Sequence, residues 1–358
     1  PAYFLVGSWG GERRIYAAFK FVLYTSVGSF LMLASIVGLS FYGHTLDLAT
    51  LLKGNLDSGV QTWLFLGFAA AFAVKVPFVP FHSWLPDTYS EAPAPVTAML
   101  AGVMSKAGAY GFLRFCMQLF PTAMHTFAPL FNILAVIGIL YCAVLALAQT
   151  DLKRLLGYSS ISHLGIVMLG IFAYNAQGQH STQGIEGAVI QMLNHGITTA
   201  ALFLIVGYLE TRTSTRDIRQ FGGIAKRVPI LATVLCIAAL SSLGLPGLNS
   251  FAGEFLTLIG VFRTNYIFGV LGTAVVIPAA WYLMRFFQGI TEGITPDGAV
   301  RSLERKGLLT DLNIGEFLPL LPLLVLIFYI GIQPAPLTFL LEPSVANILQ
   351  NLGSAFIH

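Results

Sequence analysis

Charge is what this sequence has least of. Of 358 residues only 19 are Lys or Arg and 16 are Asp or Glu, against 56% hydrophobic residues and a mean hydropathy of +0.77. So few charges cannot solvate a globular surface of that size, so the chain must be solvated by lipid. Cysteine is nearly as scarce. Cys116, Cys142 and Cys236 stand singly inside apolar runs, which argues against a disulfide framework, a zinc site or an iron–sulfur cluster. No glycine-rich phosphate loop, nucleophile elbow or metal-ligand spacing is present, so nothing in the sequence points to substrate bonds being made or broken by this chain. The net charge of +3 implies no basic face for nucleic acid, because Lys and Arg in a membrane protein gather in cytoplasmic loops for topological reasons.

What is there instead is a series of apolar runs, each long enough to cross a hydrocarbon core of roughly 30 Å at about 1.5 Å per residue. They predict spans over residues 16–42, 60–79, 94–115, 127–149, 155–174, 184–209, 229–262, 266–287 and 316–332. The expected fold is an all-α, polytopic membrane helix bundle of about nine spans, making a single domain over residues 1–358. Alternating sides at each crossing puts Arg13, Arg14, Lys153, Arg154, Arg212, Arg216, Arg219, Lys226, Arg227, Arg285, Arg301, Arg305 and Lys306 on one face. The other face receives Lys53, Arg114 and Arg263. That asymmetry makes the first face cytoplasmic and puts the C-terminus outside.

Two spans are interrupted. KVPFVPFHSWLP (75–86) holds Pro77, Pro80 and Pro86, and LGLPGLNS (243–250) combines glycine, proline and capping residues. Each proline removes a backbone donor and frees a carbonyl one turn earlier, which lipid cannot satisfy, so such breaks belong inside a protein. Paired interrupted helices point to an ion site in a transporter built from inverted repeats.

Four buried ionisable residues lie at or between these breaks. Lys75 is deep in its span, just before the first break, where a lysine costs about 2.5 to 3.5 kcal/mol and so asks for a reason. Pro77 is expected to free the carbonyl of Ala73 to hold that ammonium; the plain alternative is a lysine that snorkels to the interface. Lys106, in GVMSKAGAYG, is too far from either interface to snorkel and has neighbours small enough to let another helix pack close, with a static ion pair as the alternative. Glu254 follows the second break, where a cap by Asn249 or Ser250 would place it near the positive end of a restarted helix; otherwise it serves only that helix end. His195 is mid-span, with the intrinsic proton affinity of a relay between groups of more extreme pKa, or else a packing histidine. His82 and His163 are weaker candidates. Lys20 is expected to snorkel to the basic face, and Asp87 and Glu91 to cap the restarted first helix. The tail after Pro334 repeats Val345, Ile348, Leu349, Leu352 and Phe356 at helical spacing, with Ser344 as a cap, and is expected on the outer membrane surface or against a neighbouring subunit.

KVPFVPFHSWLPDTYSEAPAPVTAMLAGVMSKAGAYGFLRF resembles the middle of the antiporter-like subunits of respiratory complex I, and AQTDLKRLLGYSSISHLG and GLPGLNSFAGEF match the same family further along. Glu254, where the L and N types typically place lysine, and Lys106, where the L type tends to have histidine, point to the M type, the equivalent of mitochondrial subunit 4. The resemblance implies an inverted-repeat antiporter-like fold and a central polar axis. It places Lys75 and Lys106 in the first half-channel, with its remainder at about 1–120. His195 and Glu254 fall in the second, at about 121–290, followed by a last span and tail at 316–358. It also implies a chain that begins part-way into a longer subunit, with the glutamate partner of Lys75 upstream of PAYFLVG. The expected function is proton translocation as one membrane subunit among several, with NADH, FMN, iron–sulfur clusters and quinone in other subunits and no cofactor on this chain. The expected location is a bacterial inner membrane. The alternatives are a sodium/proton antiporter subunit, a membrane hydrogenase subunit, or a scaffold that transports nothing.

Overall fold

The computed structural model describes the chain except residues 55, 176–178 and 356–358. Helices dominate it: α1 (Ala2–Trp9), α2 (Arg14–Gly43), α3 (Ser58–Lys75), α4 (Trp84–Glu91), α5 (Ala94–Leu119), α6 (Pro121–Ala148) and α7 (Leu152–Ile171). There follow α8 (Thr182–Thr213), α9 (Pro229–Leu243), α10 (Asn249–Thr264), α11 (Tyr266–Thr291), α12 (Ile314–Ile332) and α13 (Ala335–Ala355). Among the described residues seven helices are long and apolar enough to cross a membrane: α2, α5, α6, α7, α8, α11 and α12. The other two expected spans are the interrupted ones, where α3 stops at Lys75 and the second splits into α9 and α10.

Side-chain caps start several of these helices. Asp57 accepts from the amide of Gly59, Asp151 from that of Arg154 and Ser181 from that of Gly184, while Asn313 and Glu316 form a reciprocal capping box at α12. Each such cap stabilises its helix by about 1 kcal/mol. Where helices begin is thus written locally; how they pack is set by burial. Helix α7 lies at the centre, buried along nearly its whole length, with α4, α6, α8 and α10 packed around it. Helix α8, 32 residues long, runs beside it and carries α10, α12 and α13 on its other faces. Helices α2 and α3 pack together on the α4 side.

Each break recovers part of its own backbone bonding. After α3 the carbonyl of Ala73 accepts from the amide of Phe78 at 2.9 Å, and the carbonyl of Val74 accepts from the indole Nε1 of Trp84, also at 2.9 Å. The Ala73 carbonyl expected to hold Lys75 is therefore taken. The chain slips by one residue past Pro77 and recovers the bond that proline denies. At the second break α9 ends in Gly244, whose positive φ of 79° suits a residue with no Cβ. The amides of Gly244 and Leu245 there close back on the carbonyls of Ser241 and Leu240, a double bond pattern that ends a helix cleanly.

The tail differs from expectation. Helix α13 runs through Pro343, so Ser344 is interior to it and caps nothing. Val345 is buried within this chain, and Ile348 and Leu349 pack against its core. Those apolar positions pack against the bundle, chiefly on α8. Phe356 lies outside the described residues.

Candidate functional site

Helix α5 changes pitch around its lysine. Residues Leu100–Met104 and Phe112–Cys116 are wound as π-helix, and the amide of Ser105 reaches back five residues to the carbonyl of Leu100 at 3.1 Å. Such wide turns recur at functional positions because they redirect side chains and loosen the ladder. Lys106, between them, is buried, and its ammonium donates to the carbonyl of Ala101. Ser105 Oγ donates to the same oxygen at 3.0 Å. No carboxylate pairs with Lys106 among the described residues.

Helix α8 brings His195 to this lysine. Gly102 of α5 and Gly196 of α8 meet backbone to backbone, so the two helices touch one turn from Lys106 and one residue from His195. Lys106 is near enough to act on His195 electrostatically, as is His163. His195 is 3% exposed, and neither ring nitrogen has a hydrogen-bond partner among the described residues. Its ring centre lies 5.7 Å from that of His163 on α7.

His163 is the junction. Its Nδ1 is 2.7 Å from Glu254 Oε1, and its Nε2 is 3.2 Å from the hydroxyl of Tyr282 on α11, which in turn is 2.9 Å from Ser159 Oγ. Glu254 Oε1 also accepts from Gln191 Nε2 at 2.8 Å. Lys106, His195, His163 and Glu254 thus lie in one row across α5, α8, α7 and α10, the first three buried and Glu254 half-buried, with Tyr282 and Ser159 as a branch.

The second break is fixed from α8 as well. Asn194 Nδ2 donates to the carbonyl of Asn249 at 2.6 Å, and Asn249 Nδ2 returns a bond to the carbonyl of Asn194 at 3.2 Å. Thr198 and Ser241 hold each other's hydroxyls at 2.9 Å, and both reach Asn249 Oδ1. Asn249 was expected to cap α10; neither its side chain nor that of Ser250 does so. Its amide is used across helices, tying the start of α10 to the helix that carries His195.

Lys75 and His82 stand apart from this row. Lys75 is half-buried at the end of α3, its Cβ against Gly108 of α5, and no partner for its ammonium is found among the described residues. His82, within the first break, packs edge-on against Tyr141 of α6 with ring centres 5.7 Å apart.

A collar of ion pairs closes one end of the first break. Asp87 of α4 takes Lys20 at 2.8 Å and Arg154 at 2.9 Å. Glu91 faces Arg216 at 3.7 Å and accepts from the amide of Arg13 at 3.0 Å. Arg216 also meets Asp151 at 3.1 Å and Glu210 at 3.6 Å, and Glu210 holds the buried Lys153 at 2.6 Å. Lys20 thus reaches a carboxylate 67 residues away in the chain. Asp87 and Glu91 act as ion-pair anchors instead of caps. A cavity of 250 Å³ opens beside the collar, lined in part by Arg13, Asp87, Glu91 and Arg216.

Sequence reasoning singled out the charged members of the row and undervalued His163. Asn194 and Thr198 are visible in the sequence only as neighbours of His195, and Gln191, Tyr282 and Ser159 are not singled out by it; the signal on α8 was helical spacing, which puts 191, 194, 195 and 198 on one face. Among the described residues no three His, Cys, Asp or Glu side chains gather as metal ligands would, and the three cysteines are free.

An all-helical membrane bundle with a broken helix beside a row of buried lysine and histidines ending in a half-buried glutamate defines a membrane module of the antiporter type. The family model described as NADH:quinone oxidoreductase/Mrp antiporter, transmembrane, matches residues 1–278, and the chain belongs to that family. It is 39% identical to NADH-quinone oxidoreductase subunit M of Rhodobacter capsulatus over 364 residues, covering 98% of this chain and 69% of that one. It is 40% identical to the subunit of the same name from Rickettsia bellii (strain RML369-C), with the same coverage of 98% and 69%. Among solved structures, a chain of respiratory complex I from Thermus thermophilus with bound NADH superposes with a TM-score of 0.89 at 33% identity, over 98% of this chain and 72% of that one. A chain of the Mrp complex from Dietzia sp. DQ12-45-1b shares the fold, with a TM-score of 0.86 at 20% identity over 98% of this chain and 73% of that one.

Proposed function

We propose that this chain is an M-type, proton-translocating membrane subunit of an NADH:quinone oxidoreductase, coupling quinone reduction elsewhere in the complex to proton transfer across the membrane. The observation that carries this reading is the row Lys106, His195, His163, Glu254, whose last two members share a 2.7 Å contact. A proton passes between such groups by small steps, each within the low-dielectric interior where ionisable residues mark ion pathways. The near-40% identity to subunits named NADH-quinone oxidoreductase subunit M supports the coupling partner.

In this reading Lys75 receives the signal from a neighbouring subunit. The change propagates to Lys106, His195 relays the proton, and His163 and Glu254 hold it before release. Redox groups (NADH, FMN, iron–sulfur clusters, quinone) lie in other subunits. The complex sits in a bacterial inner membrane, with the Lys/Arg-rich loops cytoplasmic and the C-terminus outside. The test is Lys75→Ala in the full-length subunit within its assembled complex: proton pumping should drop severalfold while NADH oxidation persists. Transport by the subunit driven by a sodium gradient, without NADH or quinone, would favour the sodium/proton antiporter reading instead.

A further inference from the structure

Gln191 is fully buried, one helical turn before His195 on α8, and its two amide atoms are treated unequally. Nε2 donates to Glu254 Oε1 at 2.8 Å, while Oε1 is buried with no partner among the described residues. A buried amide oxygen left unpaired is costly, so its retention calls for a use. The approach that makes the contact is built into the next residue. A Cβ on Gly253 would lie 2.6 Å from Gln191 Oε1 and 2.8 Å from its Cα, so only glycine lets α10 lie this close to α8.

A carboxylate accepts hydrogen bonds only, whereas a protonated carboxyl also donates one. The amide of Gln191 offers both faces at one position. With Glu254 ionised, Nε2–H is the correct partner. With Glu254 protonated, a half-turn of the amide about its last torsion presents Oε1 to the new O–H.

We propose that Gln191 is the positioning residue of the second half-channel, an amide that turns over with each protonation of Glu254 and so keeps that carboxyl facing His163 in both states. The proposal rests on the proton-channel reading above and adds a residue to it. The proton arrives from His163 Nδ1 on Glu254 and leaves from the same carboxyl, and Gln191 gains and loses none. The other titratable groups facing this pair are His163 of α7, Tyr282 of α11 and His195 on α8 itself.

The experiment uses the assembled complex in sealed membrane vesicles, with proton pumping per NADH oxidised followed across pH for the parent, Gln191→Leu, Gln191→Glu and Glu254→Gln. Loss of the N–H donor disfavours the charged carboxyl, so the Gln191→Leu profile should move to higher pH. Gln191→Glu, which keeps the shape and sets a second carboxyl alongside, should move it further. Infrared difference spectra between acid and alkaline states should show a side-chain amide band in the parent that is lost in both Gln191→Leu and Glu254→Gln. Profiles for the Gln191 variants that overlay the parent's, with Glu254→Gln inactive, would overturn the role of Gln191 and leave the channel standing. An absent amide band would likewise overturn it. Unchanged pumping by Glu254→Gln would remove the channel reading and this proposal with it. Should Gln191→Leu fail to assemble, Gln191→Glu decides by the same criterion.

Discussion

His163 Nδ1 stands 2.7 Å from Glu254 Oε1, joining two helices whose contacting residues are 91 positions apart in the chain. Through Nε2 the same imidazole touches Tyr282. His163 is therefore the branch point of the polar row.

Removing the branch point separates relay from packing. His163→Ala in the assembled complex should lower proton pumping per NADH severalfold, because Glu254 then faces His195 across a gap. Tyr282→Phe, which keeps the ring and loses only the hydroxyl, should have the smaller effect. Vesicle acidification measured against NADH oxidation checks both.

The first break depends on an indole. Trp84→Phe keeps an aromatic ring in the core and removes the donor to the Val74 carbonyl, leaving that oxygen unpaired beside Pro77. The expected loss is about 1 to 3 kcal/mol of stability. Thermal inactivation of the solubilised complex reports it, and an unchanged midpoint would mean that the Val74 carbonyl has another partner.

Asp87 is 11% exposed at its side chain and holds two cations at once. Asp87→Asn leaves Lys20 and Arg154 without their counter-charge and should destabilise the collar by about 3 kcal/mol, less than a fully buried pair because Arg154 is a third exposed. Limited proteolysis of the loops around Arg14 and Thr150 should speed up accordingly.

The turn after α8 gives a prediction in pH. Arg219 holds the carboxyl of Asp217 below its ordinary 3.8, first through a side-chain hydrogen bond and then through its amide and charge. A lowered folded value means that this contribution is complete above the unfolded value and is lost as pH falls through the folded one. Hydrogen exchange in residues 214–220 should therefore be independent of this pair at neutral and mildly acid pH, and should rise only below about pH 4.

Much of the fold was legible because hydropathy and proline report directly on lipid and on backbone. The spans, both breaks and the membrane class follow from those signals alone. Lys106 and His195 stood out because ionisable groups in apolar runs are costly. What remained hidden was pairing across helices. Nothing near Lys20 in sequence announces Asp87, and nothing near Glu254 announces Gln191 or His163. The freed carbonyl of Ala73 was a sound local deduction overtaken by a one-residue slip at Phe78. Ser344 resembled a cap because it follows a proline, yet burial of Val345 carries α13 straight through.

The central claim is that the row ending in Glu254 carries protons. Its most direct test is the number of protons moved per NADH oxidised by complexes bearing Glu254→Gln in the full-length subunit, with assembly confirmed by native gel and NADH oxidation measured in the same vesicles. The account predicts a clear drop in that ratio with oxidation retained. A ratio equal to the parent's would contradict it.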